Sequence, residues 1–212
     1  LGRVFSAEEI TQLAEFCRRH DIILLSDEIH CDLIFDEEKT PHFSALNLPE
    51  GLREHCITLL APSKTYNIAG LGYAFAVIPD EKLRARFNLV KGHTLAEINC
   101  LAYYAAEAAY RDGEPWRKEL ISYLRNNRDL LTKTLRRELP GVAIPEIEAT
   151  YLAWIDCRPA GIESPMKKAE EAGLFLSDGA AFGHRGCVRM NFGTQTSRLK
   201  EALDTFIAAV RS

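Results

Sequence analysis

"CITLLAPSKTYNIAGLGYAFAVI" (56–78) decides how this chain is read. Its first five residues form a continuous apolar run of strand length, stopped by Ala61-Pro62. Short apolar runs bounded by turn signals read as strands covered on both faces of a sheet. "YAFAVI" (73–78) is a second such run and ends at the turn pair Pro79-Asp80. Between the two stand Ser63 and Lys64, followed by small residues and glycines. Burying an ammonium is costly, so a lysine directly after a buried strand asks for a reason.

Upstream, "IILLS" (22–26) is another short apolar run. It follows a helix whose start is written in Ser6-Ala-Glu-Glu9, a capping box. Ile10, Leu13, Ala14 and Cys17 continue that helix at helical spacing, and "RRHD" supplies basic residues to its last turn. Strands alternating with helices predict an α/β domain with a mostly parallel sheet. From about residue 81 to 139 the pattern turns helical. "TLAEINCLAYYAAEAAY" (94–110) is apolar nearly all round and reads as a buried helix. After the break at Asp112-Gly113, residues 114–139 form a long amphipathic helix with Pro115 early, where proline is tolerated.

Beyond Pro140-Gly141 the texture changes. "TYLAWID" (150–156) and "CVRMNF" (187–192) read as strands, Ser164-Pro165 opens a short helix, and Ser197 is the expected cap of a final helix. The reading is therefore a large α/β domain over 1–113 and a small α+β domain over 114–212.

Composition narrows the class. The 212 residues are 47% apolar with net charge −4, which gives no basic footprint for nucleic acid or an anionic membrane. No apolar run approaches the ~20 residues of a membrane span. The cysteines at 17, 31, 56, 100, 157 and 187 stand singly, with no CxxC pair, so no zinc or other metal site is expected. A reduced, cytoplasmic protein is the plain expectation. The chain opens on Leu1 and enters a helix within a few residues, and it reads as part of a longer protein.

In open α/β sheets, ligands collect at the carboxyl ends of strands. Two such ends carry charge here: Asp27 after "IILLS" and Lys64 after "ITLLAPS". Each alone has a plain alternative, a solvated loop carboxylate and a surface lysine. One charge of each sign at one rim suggests a site.

Lys64 within "SKTYNIAGL" and Asp27 within "SDEIH" resemble the fold-type I pyridoxal-phosphate enzymes, in particular the class I/II aminotransferase superfamily. "LGRVFS" (1–6) and "GAAFGHRGCVRMNFGTQTSRLKEAL" (179–203) extend the resemblance over essentially the whole chain. It implies a three-layer large domain, of which residues 1–113 are the carboxyl-terminal part. It also implies pyridoxal 5'-phosphate as cofactor, held through the Lys64 amine, which then takes the substrate Cα proton. Asp27 would keep the cofactor ring nitrogen protonated, and Ser63 would donate to its phosphate. Arg189 would grip the substrate α-carboxylate bidentately, with Phe182, Gly183 and Gly186 shaping the approach. Tyr151 either faces the substrate or packs in the core.

Two departures from the transaminase pattern matter. His30 stands where many transaminases have a tyrosine, and Gly72 where many have a phosphate-binding arginine. Both resemble the MalY/PatB branch of cystathionine β-lyases and cysteine-S-conjugate β-lyases. The implied reaction is β-elimination from a sulfur amino acid, giving a thiol, pyruvate and ammonia. His30 either tunes the cofactor oxygen, relays a proton or packs beneath the site. The rival readings are an aminotransferase with the same residues, a regulatory module, and a catalytically incomplete fragment. The resemblance further implies a homodimer and an amino-terminal segment that helps hold the cofactor.

Overall fold

The computed structural model describes every residue except His93 and Ala96. Contacts divide the chain into two compact units, Val4–Glu119 and Leu1–Arg3 with Leu120–Ser212.

In the first unit, helix α1 (Ala7–Arg19) starts at the Ser6 capping box: Ser6 Oγ accepts from the Glu9 amide at 3.2 Å, and Glu9 Oε2 accepts from the Ser6 amide at 2.9 Å. Strands β1 (Leu24–Asp27), β2 (Cys56–Leu60) and β3 (Phe75–Val77) form a three-stranded sheet in that order. β1 and β2 are parallel, with Asp27 opposite Leu59, while β3 runs antiparallel to β2. The expected mostly parallel sheet is thus one parallel and one antiparallel pair among the described strands. The short helix α2 (Glu50–Arg53) leads into β2. Ala14, Ala45, Leu48, Leu52 and Cys56 form one buried cluster, with Ile10, Leu24 and Phe43 packed on it.

Two burial expectations are corrected. β1 is not covered on both faces: its residues alternate, and Leu25 is 55% exposed. Nor is 94–110 a buried helix. Helix α3 (Glu81–Lys91) is followed by a helix α4 that spans only Cys100–Asp112, capped by Asn99 accepting from the Leu101 amide at 2.9 Å. Asparagine stops a helix from extending upstream because its side chain competes for the orphan amides. Only Ala102 and Ala106 of α4 are buried, while Leu101, Tyr103 and Tyr104 are exposed. The apolar residues of α4 cover more of its circumference than this unit covers. Ala96, within the predicted span, lies outside the described residues.

Helix α5 (Glu114–Glu138) begins in the first unit and continues into the second. The second unit holds β4 (Leu152–Asp156), α6 (Pro165–Glu171), β5 (Ser177–Asp178), β6 (Cys187–Asn191) and α7 (Thr196–Arg211). Its sheet is antiparallel in the order β4-β6-β5, and Val188, Met190, Phe192, Leu199, Leu203 and Phe206 are fully or almost fully buried. Ser197 does not cap α7, which starts one residue earlier with no side-chain cap of its own. Tertiary contacts from α5 replace the cap. The Thr196 amide donates to Tyr123 Oη at 2.8 Å, and the Thr196 hydroxyl donates to Asn127 Oδ1 at 2.8 Å. Asn127, fully buried, in turn donates to the carbonyls of Phe192 and Thr194 at 3.0 and 2.8 Å.

Gly113, at the α4–α5 junction, is required by close approach. A Cβ there would lie 2.5 Å from Tyr66 Cε1 and against the Ala109 carbonyl. Gly113→Ala is therefore expected to lower stability by about 1–3 kcal/mol, read as a lower urea midpoint at an unchanged slope. An unchanged midpoint would show that Tyr66 yields without cost.

Candidate active site

Parallel pairing brings the carboxyl ends of β1 and β2 to one edge of the sheet. Asp27 is the last residue of β1 and is exposed. Among the described residues its carboxylate accepts only the Ile29 amide, at 3.3 Å. Lys64 arrives at the same edge, because Pro62 ends the strand and the chain turns at once. The Tyr66 amide donates to the Pro62 carbonyl at 2.9 Å, and the Ile68 amide to the Ser63 carbonyl at 3.2 Å. Asn67 takes the left-handed conformation (φ 55°) that lets this loop close. Ser63 and Lys64 are half-buried, and Lys64 makes no ion pair among the described residues. His30, also half-buried, follows Asp27 on the next turn. Gly72 is left-handed (φ 64°), with open space where a side chain would project.

Two buried polar groups support this rim, and the sequence reading named neither. Glu28 is 5% exposed. Its Oε1 accepts from Ser26 Oγ at 2.9 Å and from the Ala45 amide at 2.8 Å, and its Oε2 lies 2.8 Å from His42 Nε2. Burial alone would raise its pKa, but the bonds with His42, Ala45, Ser44 and Ser26 outweigh burial and hold the carboxyl below the usual range. Arg117, 9% exposed, is the second group. It donates to the Asp32 carbonyl at 2.9 Å, to Glu37 Oε1 at 2.5 Å and to Glu114 Oε2 at 2.7 Å. Thr65, fully buried beside Lys64, reaches Asp32 Oδ2 at 3.4 Å. The neighbouring Cys31 thiol is pushed up to about 12, by burial first and then by Asp32 and Glu28, so it stays protonated near neutral pH and is no nucleophile. Alternation along β1 was the signal for Glu28: with Asp27 facing out, the next side chain faces in. Arg117 gave no sequence signal, because nothing local separates it from the solvated charges of an amphipathic helix.

Arg189 and Tyr151 belong to the second unit. Arg189 lies mid-strand on β6, opposite Trp154 of β4 and Ser177 of β5. One of its terminal nitrogens donates to Ser177 Oγ at 3.3 Å, and its guanidinium carbon lies 4.7 Å from the Phe182 ring centroid, a cation–π contact. Its Nε is buried with no hydrogen-bond partner among the described residues. Phe182 packs edge-on against Trp154, with centroids 5.8 Å apart. Ser177, which the sequence reading passed over, orients the guanidinium. Tyr151 is half-buried, its pKa raised by burial, and its ring packs where a Gly193 Cβ would lie 3.0 Å from Tyr151 Cγ.

A family model described as aminotransferase class I and II matches residues 1–206. The cystathionine beta-lyase PatB of Bacillus subtilis is 34% identical over 215 residues, a match covering 99% of this chain and 55% of that protein. The crystal structure of OvoB is matched with 42% identity and a TM-score of 0.92, over 100% of this chain and 55% of that one. Cystalysin from Treponema denticola, whose structure contains pyridoxal 5'-phosphate, is matched with 31% identity and a TM-score of 0.89, over 99% and 54%. The chain belongs to the class I and II aminotransferase family, and it is similar there to PatB and to Protein MalY of Escherichia coli, the latter 32% identical over 218 residues. It has the α/β fold of the pyridoxal-phosphate-dependent members. It spans about half the length of the curated relatives it matches. Among the described residues, no helix is long and apolar enough to cross a membrane, and no group of three His, Cys, Asp or Glu side chains is placed to hold a metal.

The depressed Glu28 pKa has a signed consequence. Its ionised form stabilises the fold above the ordinary value of 4.5, and that contribution is lost as pH falls through the lower folded value. The wild type is expected to be more stable than Glu28→Gln at about pH 7, with the difference shrinking at about pH 3. A difference that does not change with pH in urea unfolding would contradict the charged network.

Proposed function

We propose that this protein is a pyridoxal-5'-phosphate-dependent carbon–sulfur lyase acting on a sulfur amino acid such as cystathionine or a cysteine S-conjugate. The observation that carries the reading is the pairing of β1 with β2, which brings to one strand-end rim a lysine with no ion pair among the described residues and a lightly bonded carboxylate. The donor set fits the cofactor: its aldehyde needs an amine, its ring nitrogen a carboxylate, its phosphate a hydroxyl. Lys64, Asp27 and Ser63 supply these. When bound, the cofactor acts as an electron sink for the pair left at the substrate Cα.

The chain's own residues then do the following. Lys64 Nζ would hold the cofactor aldehyde and would be the base that takes the substrate Cα proton. Asp27 would keep the proton on the ring nitrogen. His30 stands beside Asp27 in the rim loop and is assigned to the cofactor's phenolic oxygen. Arg189, its Nε unpartnered and its plane steadied by Phe182 and Ser177, offers a fork to the substrate α-carboxylate. Tyr151 packs on the Gly193 backbone and is assigned to the wall of the substrate site. Loss of the thiolate from Cβ would release a thiol and leave the three-carbon enamine, which takes up water to give pyruvate and ammonia. The PatB likeness, with His30 and Gly72 in place of tyrosine and arginine, supports elimination over amino transfer.

Incubation of the full-length protein with cystathionine is expected to release thiol and pyruvate with no keto-acid acceptor present. An absolute need for an acceptor would make it an aminotransferase instead. Lys64→Ala is expected to lower turnover by about 10³-fold or more. Arg189→Lys loses a charge-assisted fork of about 1.5 kcal/mol or more, roughly tenfold in KM. An unchanged KM would remove Arg189 from the substrate site.

A further inference from the structure

Asp27 carries a role that depends on its placement, yet its own carboxylate is held only by the nearby Ile29 amide, at 3.3 Å. Its neighbours are held far better. Ser26, the residue before it, is tied through Oγ to Glu28 Oε1 at 2.9 Å. Glu28, the residue after it, is tied through its amide to the Leu59 carbonyl of β2 at 2.9 Å. The Glu28 side chain then reaches the 42–45 segment, accepting the Ala45 amide at 2.8 Å and meeting His42 Nε2 at 2.8 Å. Asp27 thus sits between two residues whose side chains bond to each other, the second of them also paired to β2 through its amide. Three donors on a carboxylate that is 5% exposed make a rigid knot, because losing any of them leaves a buried charge unsatisfied.

We infer that Glu28 is a positioning residue for the cofactor: it fixes the Asp27 backbone so that the Asp27 carboxylate stays at the ring nitrogen. This rests on the functional reading above. Groups that orient a reactive residue in this way typically carry 10–100-fold effects when removed, as known for residues behind metal ligands (roughly). Ser26 and the Ala45 amide share the same oxygen, Oε1, while His42 meets Oε2. Glutamine can therefore keep all three contacts if His42 adopts the accepting tautomer at Nε2. Alanine keeps none.

The experiment loads full-length wild type, Glu28→Ala, Glu28→Gln and Asp27→Asn with cofactor labelled with ¹⁵N in the ring. It reads the ring-nitrogen chemical shift and the cofactor dissociation constant, with circular dichroism as a check on folding. Glu28→Ala is expected to move the shift toward the unprotonated value, as Asp27→Asn does, and to weaken cofactor binding about tenfold. Glu28→Gln is expected to stay near wild type in both. A folded Glu28→Ala protein with the wild-type shift would overturn the inference, leaving Glu28 as a stabiliser of the 42–45 segment alone. If Glu28→Ala does not fold, the double variant Ser26→Ala/His42→Leu, which keeps the carboxylate, decides in the same way. A wild type that binds no cofactor, or an Asp27→Asn protein whose ring nitrogen stays protonated, would sink the functional reading, and the inference would fall with it.

Discussion

Parallel pairing of β1 with β2 is the constraint on which the candidate site depends. Had these strands run antiparallel, the segment after Asp27 and the segment after Leu60 would emerge at opposite edges of the sheet. With Asp27 opposite Leu59, both emerge at one edge, and Lys64 needs only the short turn through Pro62 and Ser63 to reach it. The Glu28 amide continues the pairing one residue beyond the strand by bonding to the Leu59 carbonyl. From that point the Glu28 carboxylate gathers Ser26, His42 and the Ala45 amide. The same knot therefore ends the strand, seats the following segment and frames Asp27.

The second unit solves a different problem. In the proposed function Arg189 meets an incoming carboxylate, and such a guanidinium must be presented without being neutralised beforehand. Arg189 has no carboxylate partner among the described residues: Ser177 takes one nitrogen, Phe182 covers one face, and Nε is left without a partner. A cation–π face and a hydroxyl orient the group while leaving its charge available. Arg117 in the first unit is the contrast. Glu114 and Glu37 hydrogen-bond to it and raise its pKa further, so it is fully engaged as a structural clamp.

Much of this was legible in the sequence because it is local. Ser6 and Glu9 declare the start of α1, Pro62 declares the end of β2, and charges after apolar runs marked Asp27 and Lys64. The misreadings arose where burial depends on what lies alongside. "IILL" (22–25) is apolar throughout, yet β1 alternates because this chain covers one face of it. The 94–110 run is apolar nearly all round, yet Asn99 caps the helix late and Tyr103 and Tyr104 remain exposed. Ser197 has the right chemistry for a cap, but Tyr123 and Asn127 of α5 do that work from a distance that no local pattern reveals. Arg117 and Ser177 were passed over for the same reason, whereas Glu28 was missed although the alternation of β1 marked it. Arg117 reaches Asp32 and Glu37 far along the chain, and Ser177 meets Arg189 across a sheet.

The account stands most directly on Lys64. Full-length protein incubated with pyridoxal 5'-phosphate, reduced with borohydride and digested should yield one pyridoxylated peptide by mass spectrometry, the one containing Lys64. Label on a different lysine, or no label after reduction, would contradict it.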